Sequence, residues 1–140
     1  MNLMNYKKRI GLGAVLGIVF IFMEYFVHHI FLRDAYQATA FLWRPGAQMK
    51  TFLPLILLAE LLFGILFGVV YAQGYEPRRA PLGQGVRYGI IMGLMIAPMS
   101  SLIWFAVLPV APCLAMGWLF YGFAEILILG AVASMIYRPS

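Results

Sequence analysis

The sequence predicts an all-α integral membrane protein built as a four-helix bundle. Of its 140 residues 64% are hydrophobic and only 11% are charged, whereas a soluble domain carries about 25% charged residues. The mean hydropathy is +0.90. The apolar residues form four continuous stretches, each long enough to cross a hydrocarbon core of about 30 Å as a helix. Because these stretches lack a period of two, they exclude a transmembrane barrel.

We predict a single membrane domain over residues 1–140. Its four spans lie at about residues 10–31, 52–71, 85–108 and 113–137. The first span is longer than the apolar core of a signal peptide, so we interpret it as a true span. In the outer loop, residues 32–51, we expect Asp34 to cap a short helix that runs through Trp43. The aromatic residues of this loop suit a segment that lies on the membrane surface. Two proline-containing turns join the remaining spans.

The basic residues are distributed unequally between the two sides of the predicted bundle. One side carries Lys7, Lys8, Arg9, Arg78, Arg79, Arg87 and Arg138. The other side carries Arg33, Arg44 and Lys50. The positive-inside rule then places both termini in the cytoplasm. The net charge of +5 has the same explanation, so we expect the lipid bilayer rather than a nucleic acid as partner.

Two parts of the chain are similar in sequence. Ala59-Glu60 opens an apolar run that ends at Tyr71, and Ala124-Glu125 opens another that ends at Tyr137. Arg9-Ile10-Gly11 and Arg87-Tyr88-Gly89 form a second similar pair. One interpretation is a parallel tandem repeat of a two-helix hairpin, over about residues 5–73 and 84–138. The other is chance similarity between two apolar hairpins.

Small residues recur at helical spacing in three of the spans. They form the patterns Gly13-xxx-Gly17, Gly64-xxx-Gly68 and Gly85-xxx-Gly89-xxx-Gly93. Such patterns allow helix backbones to approach closely in a membrane, where lipid provides no hydrophobic drive for association. We therefore expect them to pack a compact bundle. The alternative is that one of these faces forms a homo-oligomer.

Three acidic residues lie inside predicted spans. From the helical rise, Glu24 lies about 10 Å, Glu60 about 12 Å and Glu125 about 18 Å from the outer ends of their spans. The third span places Ser100 at a comparable depth. The spans thus bring polar groups into one slab of the outer half of the membrane. Ionisable residues at such depth mark functional sites.

Two interpretations of these acids remain open. With His28 and Ser100, they form a site for a small cation, a proton or a small amphipathic ligand. Alternatively they join helices by hydrogen bonds, because three carboxylates cannot all be charged in an apolar slab and a protonated one donates hydrogen bonds. The second interpretation suits a structural or accessory subunit of a larger membrane complex.

Metal binding is a further hypothesis for two sets of residues. Glu24 and His28 are four positions apart and share a helix face, so they can hold a divalent cation, relay a proton or simply bond to each other. Met95 and Met99 can pass a soft Cu(I) ion, or they fill gaps between helices. Because His28 and His29 are adjacent on one helix, haem ligation within the chain is disfavoured. The sequence requires no cofactor.

The overall pattern resembles an uncharacterised family of small bacterial hypothetical membrane proteins with four spans. It consists of a Lys/Arg start, a Gly-rich first span with Glu24 and a His-bearing end, a long outer loop, and a second span leading to an Arg-Pro type turn. The resemblance covers nearly the whole chain, through Arg87-Tyr88-Gly89 and Glu125. It implies the four-span fold and the bacterial inner membrane, and it implies no catalytic residue. Since no nucleophile–base pair, phosphate loop or Cys-x-x-Cys motif is present, we expect a non-enzymatic protein.

Overall fold

A computed structural model describes residues 3–137, with side chains described from Tyr6 onward. This part of the chain is all-α. Its α-helices are α1 (Leu3–Phe26), α2 (Arg33–Ala38), α3 (Gly46–Gln73), α4 (Pro81–Val107) and α5 (Pro112–Ile136). A π-helical turn, Val27–Phe31, extends α1, and a 3₁₀ turn, Ala40–Leu42, follows α2. Arg138, which the charge distribution includes, lies outside the described residues.

The four long helices suit a membrane in length and composition. Tyr6–Phe31, α3, α4 and α5 are each long and apolar enough to cross one. Large apolar side chains such as Leu55, Leu66 and Leu102 lie on the outer surface, where lipid would cover them. The prediction of an all-α, four-helix membrane bundle is confirmed at this level.

The outer connection differs from its predicted form. The sequence predicts a helix capped by Asp34, whereas α2 has Leu32 at its N-cap and ends at Ala38. Asp34 instead lies in the first turn, where its charge favours the positive end of the helix. The third helix begins at Gly46, before the apolar stretch itself. Its first six residues include Gln48, Lys50 and Thr51, so hydropathy alone does not detect this start.

Glycines bring α1 and α3 into backbone contact. A Cβ placed on Gly68 would lie 2.8 Å from the Cα of Gly13, closer than real side chains approach. A Cβ placed on Gly64 would meet the backbone of Gly17. The predicted small-residue faces of these two helices therefore pack against each other within one chain.

The helices α4 and α5 form a second close pair. A Cβ on Gly89 would lie 2.9 Å from the Cα of Leu127, and a Cβ on Gly85 would meet the carbonyl of Gly130. Gly130 is thus a partner that the small-residue patterns did not include. The described helices thus form two closely packed pairs, α1–α3 and α4–α5. The two pairs contact each other mainly between α1 and α5.

Two clusters of buried side chains hold the pairs together. The larger cluster includes Leu16, Phe67 and Leu129, and Tyr88 of α4 donates a hydrogen bond to the carbonyl of Phe67 at 3.0 Å. The smaller cluster lies at the end of the bundle next to α2. Its buried members are Val27, Leu32, Val110 and Leu114, and partly buried aromatic residues pack around them. Through these contacts the smaller cluster holds the α1–α3 connection, which includes α2, against the start of α5.

Candidate functional site

A cavity of about 410 Å³ lies among the four long helices, in the half of the bundle next to α2. Most of its walls are apolar or aromatic, and its polar groups converge from α1 with its π-helical turn and from α2, α4 and α5. Its lining residues are Phe20, Glu24, Val27, His28, Tyr36, Trp43, Phe63, Ile96, Ala97, Ser100, Ser101, Trp104, Leu108, Trp118, Gly122, Glu125 and Ile126. The cavity thus lies between the α1–α3 pair and the α4–α5 pair.

The predicted site residues divide into three groups. Those that line the cavity are Glu24, His28, Ser100 and Glu125. Glu60 is not among the lining residues, but it lies close enough to Glu24 and His28 for their charges to interact. Met95 and Met99 are 57% and 59% exposed on the outer face of α4, and neither lines the cavity.

A chain of hydrogen bonds runs along one wall of the cavity. The carboxylate Oε2 of Glu24 lies 2.8 Å from Nε2 of His28, and Nδ1 of His28 lies 2.6 Å from the hydroxyl of Tyr36. The indole Nε1 of Trp118 donates to the same hydroxyl at 2.7 Å. Because indole only donates, the phenol of Tyr36 is free to donate to His28. A neutral His28 then carries its proton on Nε2 and donates it to Glu24.

The local backbone conformation places His28 in this series of hydrogen bonds. After Phe26 the helix widens into the π-helical turn, in which the amide of Leu32 donates to the carbonyl of Val27 at 2.9 Å. Such turns occur frequently at functional sites because they redirect side chains within a helix. His29, next in sequence, is exposed and stacks on Tyr25 at 4.7 Å. Only one of the two histidines therefore faces the cavity.

Tyr36 keeps its proton at neutral pH. Burial raises the pKa of Tyr36 to about 12, with the hydrogen bond from Trp118 acting against this rise and the charge of Glu24 adding to it. The phenol therefore acts as a hydrogen-bond donor to His28 rather than as a phenolate.

The lining of the cavity also includes two residues with a buried polar atom that has no partner in the described chain. Ser101 is 3% exposed and Glu125 is 4% exposed. Within the described chain, neither Oγ of Ser101 nor Oε1 of Glu125 has a hydrogen-bond partner. Buried polar groups are normally paired, so each such atom requires an explanation. A molecule that occupies the cavity would provide one.

The two serines of α4 have different roles. The hydroxyl of Ser100, the predicted candidate, donates to the carbonyl of Ala97 at 3.2 Å. Ser101 has no such bond. The structure therefore places the available hydroxyl one position later than predicted.

Sequence reasoning missed the aromatic part of the site. Tyr36 and Trp43 were expected in a surface-lying segment, but both line the cavity. Trp118 precedes Glu125 by two helical turns and so shares its face of α5. That spacing was visible in the sequence. The bond of Trp118 to Tyr36 was not, because it joins distant parts of the chain.

The structure does not strengthen either hypothesis of metal binding. Among the residues with described side chains, no group of three or more His, Cys, Asp and Glu is arranged to hold a metal ion. Glu24 and His28 bond to each other, and the second nitrogen of His28 contacts Tyr36.

A comparison of the chain with protein-family models, curated proteins and solved structures found no match. The function proposed below therefore follows from the residues of the cavity.

Proposed function

We propose that this protein is a non-enzymatic integral membrane protein that binds a small amphipathic ligand in the cavity. The observation that carries the proposal is the pair of buried, unpartnered atoms, Ser101 Oγ and Glu125 Oε1, on the wall of this cavity. Its volume of about 410 Å³ falls within the 300–1,000 Å³ that is typical of small-molecule sites. A polar head would bond to these atoms, and an apolar body would contact the aromatic walls.

A proton or a bare ion suits the cavity less well. The chain from Glu24 through His28 to Tyr36 can hold a proton, since carboxylate and imidazole groups form relays in membranes. Neither a proton nor a bare ion, however, requires a space of this volume. We therefore assign the amphipathic ligand to the cavity, with the relay as part of its wall.

A purely structural role for the glutamates predicts direct hydrogen bonds between helices. Glu24 instead bonds to His28 of the same helical stretch, and Oε1 of Glu125 has no partner in the described chain. These contacts favour a binding site over an accessory subunit held together by its carboxylates.

We further propose that the bundle lies in a bacterial inner membrane, with both termini cytoplasmic. The support is the excess of Lys and Arg at the start of α1 and around the α3–α4 connection. A tandem repeat of two-helix hairpins would give the two helix pairs a common origin.

The single cysteine tests the orientation. Cys113 is exposed at the start of α5, which faces outward in the proposed topology. We expect a membrane-impermeant maleimide to label it in intact spheroplasts. A matched control carries Cys113→Ser with Gly83→Cys, which moves the thiol to the start of α4. That control should react only after the membrane is opened, and the reverse pattern would contradict the orientation.

Intrinsic fluorescence tests ligand binding. All three tryptophans, Trp43, Trp104 and Trp118, line the cavity. We expect a saturable change in emission when purified protein in detergent is titrated with at least one of phenethyl alcohol and phenethylammonium. Gly122 lines the same cavity, and the nearest described atom to a Cβ there is Ala97 Cβ at 3.7 Å. Gly122→Leu should therefore fill the space and abolish the saturable change.

Gly11→Leu is the matched control, because no described atom lies within 4 Å of a Cβ at Gly11. It should bind as the wild-type protein does. Partition of probe into detergent affects all variants equally and does not saturate. Identical, non-saturating responses of wild type and Gly122→Leu to both probes would refute the proposed function.

A further inference from the structure

The charges around the cavity favour a cation. Its lining includes the carboxylates of Glu24 and Glu125, and within the described chain no Lys or Arg lines it. Glu60 adds a third carboxylate whose charge reaches Glu24 and Glu125. In a low-dielectric surrounding, charges of one sign raise the local concentration of the opposite charge. An anionic ligand would meet repulsion from each acid in the site that is ionised.

The two unpartnered groups of the cavity can both accept hydrogen bonds. When it is ionised, Glu125 only accepts, and the hydroxyl of Ser101, which also lines the cavity, can accept as well as donate. Two of the indole donors nearby are already used, since Trp118 donates to Tyr36 at 2.7 Å and Trp43 donates to Thr39 at 3.0 Å. A ligand that brings N–H donors can therefore bond to both Glu125 and Ser101.

The aromatic walls suit a cation with an apolar body. Trp43 and Trp118 pack edge to face at 6.2 Å, and Phe20 and Phe63, which pack against each other at 4.7 Å, also line the cavity. The indole N–H groups of Trp43 and Trp118 are bonded inside the protein, so these two rings contact a ligand through their faces and edges. Ring faces attract ammonium groups through the quadrupole of the π-system.

We infer that the cavity binds a small primary ammonium ion, whose three N–H donors satisfy Glu125 and Ser101 and whose apolar body lies against the aromatic walls. This inference rests on the proposed function. A primary ammonium differs from a quaternary one in keeping its N–H donors, and both unpartnered atoms can accept hydrogen bonds from them. Free amines and the ethanolamine headgroup of phospholipids both present this group.

Four probes of similar shape test the inference by tryptophan fluorescence of the wild-type protein. They are phenethylammonium, its N-trimethylated analogue, phenethyl alcohol and hydrocinnamate. We expect phenethylammonium to bind about 10-fold or more tightly than the alcohol, as charge-assisted hydrogen bonds predict. The trimethylated analogue should bind more weakly than the primary ammonium, and hydrocinnamate should not bind.

The outcomes separate this inference from the proposed function. Equal binding of ammonium and alcohol, equal binding of the primary and trimethylated cations, or preferential binding of hydrocinnamate overturns the inference and leaves a ligand site. Failure of every probe overturns both. Because this comparison uses wild-type protein, it does not depend on the folding of any variant.

A substitution tests whether Glu125 is the residue that recognises the ammonium group. Glu125→Gln should weaken phenethylammonium binding about 10-fold and leave alcohol binding nearly unchanged. The matched control is Glu76→Gln, which removes a carboxylate that pairs with Arg79 in the α3–α4 connection, outside the cavity lining. An equal loss of both probes in Glu125→Gln, or an equal effect of Glu76→Gln, would contradict the inference.

Nanodiscs distinguish the two sources of the ammonium group. If phosphatidylethanolamine abolishes the response to phenethylammonium and phosphatidylcholine does not, the lipid headgroup occupies the site. An equal response in both lipids supports a free amine as the ligand.

Discussion

Replacing Gly64 with leucine is expected to lower the free energy of unfolding by about 3 kcal/mol, the upper range for overpacking. A Cβ at Gly64 would meet the Cα and amide nitrogen of Gly17. Those atoms belong to the backbone of α1 and cannot rotate away, so the two helices must separate along their length. The lost contacts extend to Gly13 and Gly68, which pack in the same seam. Unfolding of the purified protein in mixed micelles by increasing denaturing detergent measures the change.

The control for this substitution is Gly11→Leu on α1, the helix that packs against α3 in this seam. It adds the same side chain to a position where no described atom lies within 4 Å. We expect it to change the free energy of unfolding by less than about 0.5 kcal/mol, as surface substitutions do. If Gly64→Leu and Gly11→Leu unfold alike, the seam between α1 and α3 does not hold the protein together.

Replacing Glu125 with leucine is expected to raise the free energy of unfolding. It removes a side chain that is 4% exposed and whose Oε1 has no partner in the described chain. An unsatisfied buried polar group costs about 1–3 kcal/mol, so the ligand-free variant should be more stable than wild type by about that amount. It should also lose phenethylammonium binding. The combination of higher stability and lost binding is typical of residues kept for function.

Two buried serines provide the control for this reasoning. Ser101 Oγ has no partner in the described chain, whereas Ser134 Oγ donates to the carbonyl of Ala131 at 2.6 Å. Ser101→Ala should therefore stabilise the protein, and Ser134→Ala should leave it unchanged or less stable. A destabilised Glu125→Leu would instead mean that Glu125 is paired in the membrane and serves to join helices.

Much of the fold could be predicted from the sequence because it depends on local patterns. Apolar length defines the four membrane helices, and glycine spacing identifies the small-residue faces of α1 and α3 that contain Gly13 and Gly64. The helix spacing of Glu24 and His28 likewise predicts their contact. Each of these features involves residues within a few turns of one another.

The rest of the site depends on contacts that no local pattern encodes. Trp118 reaches Tyr36 across 82 positions of the chain, and this contact turns a surface segment into a cavity wall. The difference between Ser100 and Ser101 depends on how α4 is rotated against its neighbours. The exposure of Met95 follows from the same rotation.

The two helix pairs have a consequence for how a ligand enters. Within each pair, backbones touch through glycines and leave no space for relative sliding. The cavity lies at the boundary between the pairs, with Glu24 on one side and Glu125 on the other. Entry is therefore easiest when one pair rocks against the other as a rigid body. A ligand that bonds to Glu125 and lies against Phe20 and Phe63 contacts both pairs. Its binding therefore favours the closed arrangement, and closure in turn strengthens its binding.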